Sequence, residues 1–263
     1  MLKINNLTAG YGGTAAFSSL SFEIETGKVT TIIGPNGCGK STLLKSLSRI
    51  IAPMSGEIFL SGQNFKKLKP KHLAQKISLL SQHHQAPDDL TVQELVKFGR
   101  LPHKKWFESM NAEDEAKIQW AMEQTGVLEL KDLSLGMLSG GQRQRAYIAQ
   151  ALCQDPEILL LDEPTTFLDI TFQLEVMELV QRLNQELGLT VIMVLHDLNQ
   201  AIKYSHQLLV MKKGKLIAHG NPYEVAQSQL IRQVYAIENV IEPDPLSRPH
   251  VFPLRSSLSL QGG

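Results

Sequence analysis

The chain has 263 residues, and its 26 lysines and arginines are matched by 26 aspartates and glutamates. Hydrophobic residues at 43% and charged residues at 20% exclude wholesale disorder and describe one large domain or two small ones. A formal net charge of zero gives no electrostatic reason to expect nucleic acid or an anionic bilayer as the main partner.

The start, Met1-Leu2-Lys3-Ile4-Asn5-Asn6, lacks the charged-then-apolar pattern of a signal peptide. A Gly-rich turn at residues 8–16 separates two strand-like segments, and residues 20–24 alternate apolar with polar. The β-branched run 29–33 must end at Gly34-Pro35-Asn36-Gly37. Residues 41–51 read as a helix, with Leu43, Leu44, Leu47 and Ile50 at helical spacing and Pro53 and Gly56 behind it. Strands are expected at 57–60 and 77–80. From about residue 83 to 138 polar turns and helix-like segments (92–98, 112–125) replace strand signals, which predicts a helical insertion. Helix 141–153, strand 158–161, helix 172–187, strand 191–195 and helix 198–204 follow, an alternation that implies a mostly parallel sheet covered by helices. Residues 208–211 and 215–219 predict a hairpin turning at Lys213-Gly214. The tail from Pro243, with Pro245, Pro249 and Pro253, is expected to be extended or loose. The longest apolar runs fall far short of the ~20 residues a membrane span needs. Work at a membrane would require another chain to hold this one there.

Gly34-Pro35-Asn36-Gly37-Cys38-Gly39-Lys40-Ser41 fits the phosphate-loop pattern G-x-x-x-x-G-K-[ST], between an expected strand and an expected helix. Glycines let backbone amides turn inward around phosphates, and the helix dipole adds to them. Lys40 would neutralise β/γ charge, Ser41 would bind Mg²⁺ through its hydroxyl, and Thr42 completes the nucleotide-binding set. Cys38 sits where a helix N-terminus favours a thiolate. With Cys153 as the other cysteine, neither a disulfide scaffold nor a zinc site can be built, and reduced cytosolic thiols fit.

Ile158-Leu159-Leu160-Leu161-Asp162-Glu163 is an apolar strand ending in two carboxylates. Beside a phosphate loop, Asp162 is expected to hold the metal, and Glu163 to polarise a water attacking the γ-phosphate, so that hydrolysis is favoured over transfer. Leu138-Ser139-Gly140-Gly141-Gln142 reads locally as a capping box, Ser139 with Gln142. Two glycines in a first helical turn are unfavourable, however, and make sense where something approaches the backbone closely. A helix start of this kind is an anion site, best explained as serving the ATP of a second subunit.

This constellation resembles the ATPase subunits of ATP-binding-cassette transporters over residues 1–240. The resemblance implies an α/β fold: a P-loop NTPase (RecA-like) core at 1–82 and 139–240 with an N-terminal antiparallel β subdomain. An α-helical subdomain is inserted at 83–138, and 241–263 form a C-terminal extension. It also implies that Tyr11 stacks on adenine and that Gln82 couples the γ-phosphate and Mg²⁺ to the helical subdomain. Asp169 then acts across a dimer, and His196 contacts the γ-phosphate. The expected catalytic set is Glu163, His196, Lys40 and Gln82, with Ser41, Gln82 and Asp162 on the metal.

Gly99-Arg100-Leu101-Pro102-His103, the stretch from Asp162 to Ile170 and Val194-Leu195-His196-Asp197-Leu198-Asn199-Gln200-Ala201 are similar to the iron-chelate uptake group. Ferric siderophore importers match best within it, with haem and cobalamin importers as alternatives. Ser81 stands where a proline usually precedes the glutamine, and His206 where an aspartate is usual. The resemblance implies a peripheral homodimer at the cytoplasmic face of the membrane, beneath a separate permease served by a lipoprotein or periplasmic substrate-binding protein. Nucleic acid and direct chelate binding are not expected: His83, His84 and His103 read as loop or interface residues rather than iron ligands. A repair or translation cassette would carry a coiled-coil insertion, zinc cysteines or a second cassette, and an exporter subunit would lack the GRLPH and VLHDLNQA stretches.

Overall fold

A computed structural model describes residues 1–82, 86–105 and 108–256. In chain order the first elements are β1 (Leu2–Tyr11), β2 (Thr14–Ile24), β3 (Val29–Ile33), α1 (Lys40–Leu47), β4 (Ser55–Leu60) and β5 (Gln63–Asn64). Next come α2 (Pro70–Lys76), β6 (Ile77–Leu80), α3 (Val92–Lys97), α4 (Ala112–Gln124), α5 (Gly140–Cys153), β7 (Ile158–Asp162) and α6 (Ile170–Leu187). The remainder is β8 (Thr190–Val194), α7 (Leu198–Tyr204), β9 (Gln207–Lys212), β10 (Lys215–Gly220), α8 (Pro222–Val225), α9 (Ser228–Tyr235), β11 (Ile237–Pro243) and β12 (Pro249–Ser256). Two compact units emerge, Met1–Asn64 with Ile192–Gly263, and Phe65–Val191.

In the first unit β2, β1, β4 and β5 form an antiparallel sheet in that order. Leu2, Ile4, Leu7 and Ala9 of β1 and Leu20, Phe22 and Ile24 of β2 supply its buried face. β3 is buried at every position and runs parallel to β9, with Ile32 opposite Leu209, and β10 closes a hairpin on β9. Continuous burial is what a β-branched run covered on both faces requires. α1 is shorter than the periodicity predicts. Arg49 takes a positive φ of 62° just after the Ser48 cap, and Ile50 is left 67% exposed instead of on a core face.

The C-terminal tail departs most from expectation, because it is a folded hairpin. β11 pairs antiparallel with β12 from Ile237 opposite Ser256 to Pro243 opposite Pro249. Asp244 organises the turn: its Oδ1 accepts the Leu246 and Arg248 amides, and its Oδ2 pairs with the Arg248 guanidinium. Pro249 opens its strand and Pro253 falls opposite Asn239 at a register irregularity, positions where a missing N–H is tolerated.

In the second unit β6 and β7 run parallel, with Leu80 opposite Leu161, and β7 is wholly buried. Helices α3, α4 and α5 pack together beside them. The Gly99–His103 stretch is part of that packing. A β-carbon on Gly99 would lie 2.3 Å from the Gln150 carbonyl oxygen, Arg100 is buried, and His103 Nε2 sits 2.8 Å from the Gln154 carbonyl. Arg100 Nε meets Asp114 Oδ1 at 3.0 Å, and Lys104 pairs with the same carboxylate. Burial alone would raise the Asp114 pKa, but hydrogen bonds from Lys104, the Asn111 amide and Arg100 outweigh it and hold the acid at about 2. His83 and His84 lie outside the described residues.

Candidate nucleotide site

In the first unit, β3 delivers the chain into Gly34, Gly37 and Gly39, whose φ angles are 148°, 74° and 102°. The conformation needs glycine: a β-carbon on Gly34 would stand 2.1 Å from the Met211 carbonyl oxygen. α1 then begins at Lys40, and no side chain caps it. Lys40 is 5% exposed, and its Nζ donates to the Gly34 carbonyl at 2.8 Å and the Pro35 carbonyl at 3.1 Å. A buried ammonium held by the carbonyls of a glycine loop at the start of a helix is chemistry suited to a polyanion.

Cys38 corrects the sequence expectation. Its thiol is 3% exposed, and burial pushes its pKa up, only partly offset by the Lys40 charge. Tyr11 is 57% exposed at the end of β1, and His196 is exposed in the link between β8 and α7. His206, the departure from the usual aspartate, does the acceptor's work that a carboxylate can also do. Its Nδ1 accepts the Val29 amide at 3.0 Å, and burial, helped by Lys28, lowers its pKa.

In the second unit, Asp162 closes β7 at 3% exposure, and Glu163 follows with a positive φ of 55°. A glutamate in that region is strained, by on the order of 1 kcal/mol or more. The strain aims the carboxylate: Oε2 accepts Gln82 Nε2 at 2.6 Å and Thr166 Oγ1 at 3.1 Å. Gln82 and Glu163 were separate sequence expectations that the structure joins directly. Thr166 was missed, although a hydroxyl three residues beyond a strand-end acid is a recognisable turn pattern.

Ser139 caps α5 as expected, its Oγ accepting the Gln142 amide at 3.2 Å while Gln142 Oε1 accepts the Ser139 amide at 3.0 Å. One of the two glycines also has a reason within the chain itself. A β-carbon on Gly141 would lie 2.4 Å from the Phe172 ring, so this glycine makes room for the chain's own side chain. Gly140 is exposed and meets only Leu168, at 3.3 Å. Asp169 caps α6 through the Phe172 amide at 3.0 Å, which ties it to the same contact.

The ABC transporter family model matches residues 17–166. This chain belongs to the ABC transporter ATPase family. Consistent with its ABC architecture, it is 46% identical over 93% of its length to the iron(3+)-hydroxamate import ATP-binding protein FhuC of Bacillus subtilis, covering 91% of that protein. It is also 46% identical to the ferric enterobactin transport ATP-binding protein FepC of Escherichia coli, covering 96% of this chain and 94% of FepC. Among solved structures, the ATP-binding cassette MJ0796, a dimer bound to ADP and Pi, superposes with a TM-score of 0.71 at 29% identity. That match covers 84% of this chain and 99% of the cassette. A chain from a transporter described as metal-chelate type, facing inward, gives a TM-score of 0.85 at 28% identity over 98% of both chains. As an ABC ATPase this chain binds ATP and hydrolyses it, and no helix among the described residues is long and apolar enough to cross a membrane.

Proposed function

We propose that this ABC ATPase energises import of a ferric siderophore through a separate membrane permease, working as a homodimer at the cytoplasmic face. What carries the substrate class is identity of 46% along almost the whole chain with ATPases named for hydroxamate and enterobactin iron. A substrate-binding protein would deliver the chelate to the permease, and this chain would see only nucleotide.

The roles follow from the chemistry of each residue. Amides of residues 34–41 and the start of α1, with Thr42, hold the phosphates, and Lys40 turns from its two carbonyls to the β/γ oxygens. Tyr11, exposed and aromatic, stacks on adenine. The donor set Ser41, Asp162 and Gln82, hydroxyl, buried carboxylate and amide oxygen, suits the hard cation Mg²⁺, which when bound would neutralise phosphate charge. Glu163 takes the proton of the attacking water. The bond from Gln82 and the turn with Thr166 fix that carboxylate before ATP arrives. His196 donates to the γ-phosphate. Ser139, Gly140, Gly141 and Gln142 close over the nucleotide of the partner subunit, and Asp169 acts across the same dimer.

Glu163→Gln tests the chemistry. ATP binding should persist while turnover falls by about 10³-fold and an ATP-bound dimer accumulates. Near-normal hydrolysis would remove Glu163 from its role. Deletion of the gene followed by growth on single iron sources tests the substrate, with loss on siderophore iron expected and loss on haem or cobalamin alone pointing elsewhere.

A further inference from the structure

α7 begins two residues after His196, capped by Asp197, whose Oδ1 accepts the Gln200 amide at 2.8 Å. In its first turn the Asn199 carboxamide meets Val251 of β12 as a neighbouring strand would. Oδ1 accepts the Val251 amide at 2.8 Å, and Nδ2 donates to the Val251 carbonyl at 3.1 Å. Nδ2 also lies 3.2 Å from His250 Nε2. Val251 is buried and pairs with Ile241 in the terminal hairpin, so both halves of this clamp sit on ordered backbone.

The same C-terminal segment reaches the phosphate loop independently. α9 ends at Tyr235, whose largely buried hydroxyl is within electrostatic reach of the Gly34 backbone and Cys38. Ala236 then turns the chain with a positive φ of 55°, and β11 is bolted back onto α9. Asn239 Nδ2 donates to the Ser228 carbonyl at 3.1 Å, while Ser228 Oγ donates to the Asn239 carbonyl at 3.1 Å. One braced piece of chain therefore reaches the phosphate loop at one end and the helix after His196 at the other.

We infer that residues 228–256 are a brace for the nucleotide site, and that Asn199 is the positioning residue through which the terminal hairpin sets His196. The inference rests on the proposed contact between His196 and the γ-phosphate. An imidazole on an exposed strand-to-helix link is useful only if its backbone is held to within roughly half an ångström. A hairpin that merely covered apolar surface would need no two-point polar clamp on the turn that follows the histidine.

The full-length chain in its transport complex is assayed for ATP hydrolysis as Asn199→Ala, Asn199→Asp, His196→Ala and the double variant His196→Ala/Asn199→Ala. Asn199→Ala should lower kcat about tenfold with KM for ATP within about twofold, since geometry rather than binding is lost. Asn199→Asp keeps the acceptor for the Val251 amide but sets a carboxylate against its carbonyl, and should fall between. The double variant should be no slower than His196→Ala. The His196 imidazole resonance should move in Asn199→Ala, a readout that does not depend on turnover. Wild-type kcat in Asn199→Ala beside an impaired His196→Ala overturns the inference, as does a further loss in the double variant or an unmoved resonance. Normal hydrolysis by His196→Ala instead overturns the role given to His196. Should Asn199→Ala fail to fold, Asn199→Asp carries the same cycle.

Discussion

The starts of α1 and α5 look alike in sequence, each a glycine pair or triplet beside a serine, yet different forces shape them. At α1 the glycines adopt positive φ, no side chain caps the helix, and the Lys40 ammonium is folded onto the loop's own carbonyls. At α5 the helix is capped by Ser139, and Gly141 is small because Phe172 occupies the space beside it. Glycine at a helix start thus has two physical causes, a backbone that must turn inward and a neighbour that must fit. The first builds a cradle. The second fits a helix start against its neighbour and leaves Gly140 exposed.

The strongest way to break this contrast is to inactivate the two helix starts in separate chains. Ser139→Arg and Lys40→Ala should each abolish hydrolysis as homodimers, and mixing them should restore part of it, because one composite site then carries neither defect. Ser139→Arg monomers should also bind ATP with near-normal affinity yet fail to dimerise. Lost affinity in that monomer would show that the motif acts on its own chain's nucleotide. Next in size is Gly34→Ala, which combines a positive φ with a β-carbon 2.1 Å from the Met211 carbonyl oxygen. Strain of about 3 kcal/mol should weaken ATP binding about a hundredfold, measurable by titration calorimetry.

The glycines of α5 should separate by stability instead. Gly141→Ala should destabilise by about 1–2 kcal/mol, since overlap with the Phe172 ring exceeds the gain in helix propensity, and Phe172→Ala in the same chain should recover part of it. Gly140→Ala, with only a flexible leucine methyl at 3.3 Å, should be neutral or slightly stabilising in thermal melts. The smallest effect concerns Cys38. A pKa raised by burial means alkylation near pH 8 slower than for a free thiol, rising as pH passes 9. Cys153, pushed up to about 12, should be slower still. Fast labelling of Cys38 at neutral pH would return it to the thiolate expected of a helix start.

What was legible in the sequence was local. The phosphate loop, the apolar strand ending in Asp162 and the Ser139–Gln142 cap each lie within one turn or strand, where spacing alone fixes geometry. Contacts across the chain were not legible. Gln82 reaches Glu163 from 81 positions away, and Phe172 meets Gly141 from another helix, which no periodicity announces. The terminal prolines read as breakers because the pattern shows the missing donors but not the Asp244 turn that lets them pair.

The Arg100–Asp114–Lys104 cluster has a consequence for endurance in acid. Asp114 is 3% exposed, with a pKa held at about 2, below the ordinary 3.8. A carboxylate whose pKa falls on folding lends stability above its ordinary value and withdraws it as pH drops through the folded one. Between pH 4 and 2 the packing of α4 against the Gly99–His103 turn therefore loses its anion while Arg100 stays buried and charged. That corner of the molecule should be the first to open under acid, and hydrogen exchange at α4 should report it before the wholly buried strand β7 loosens.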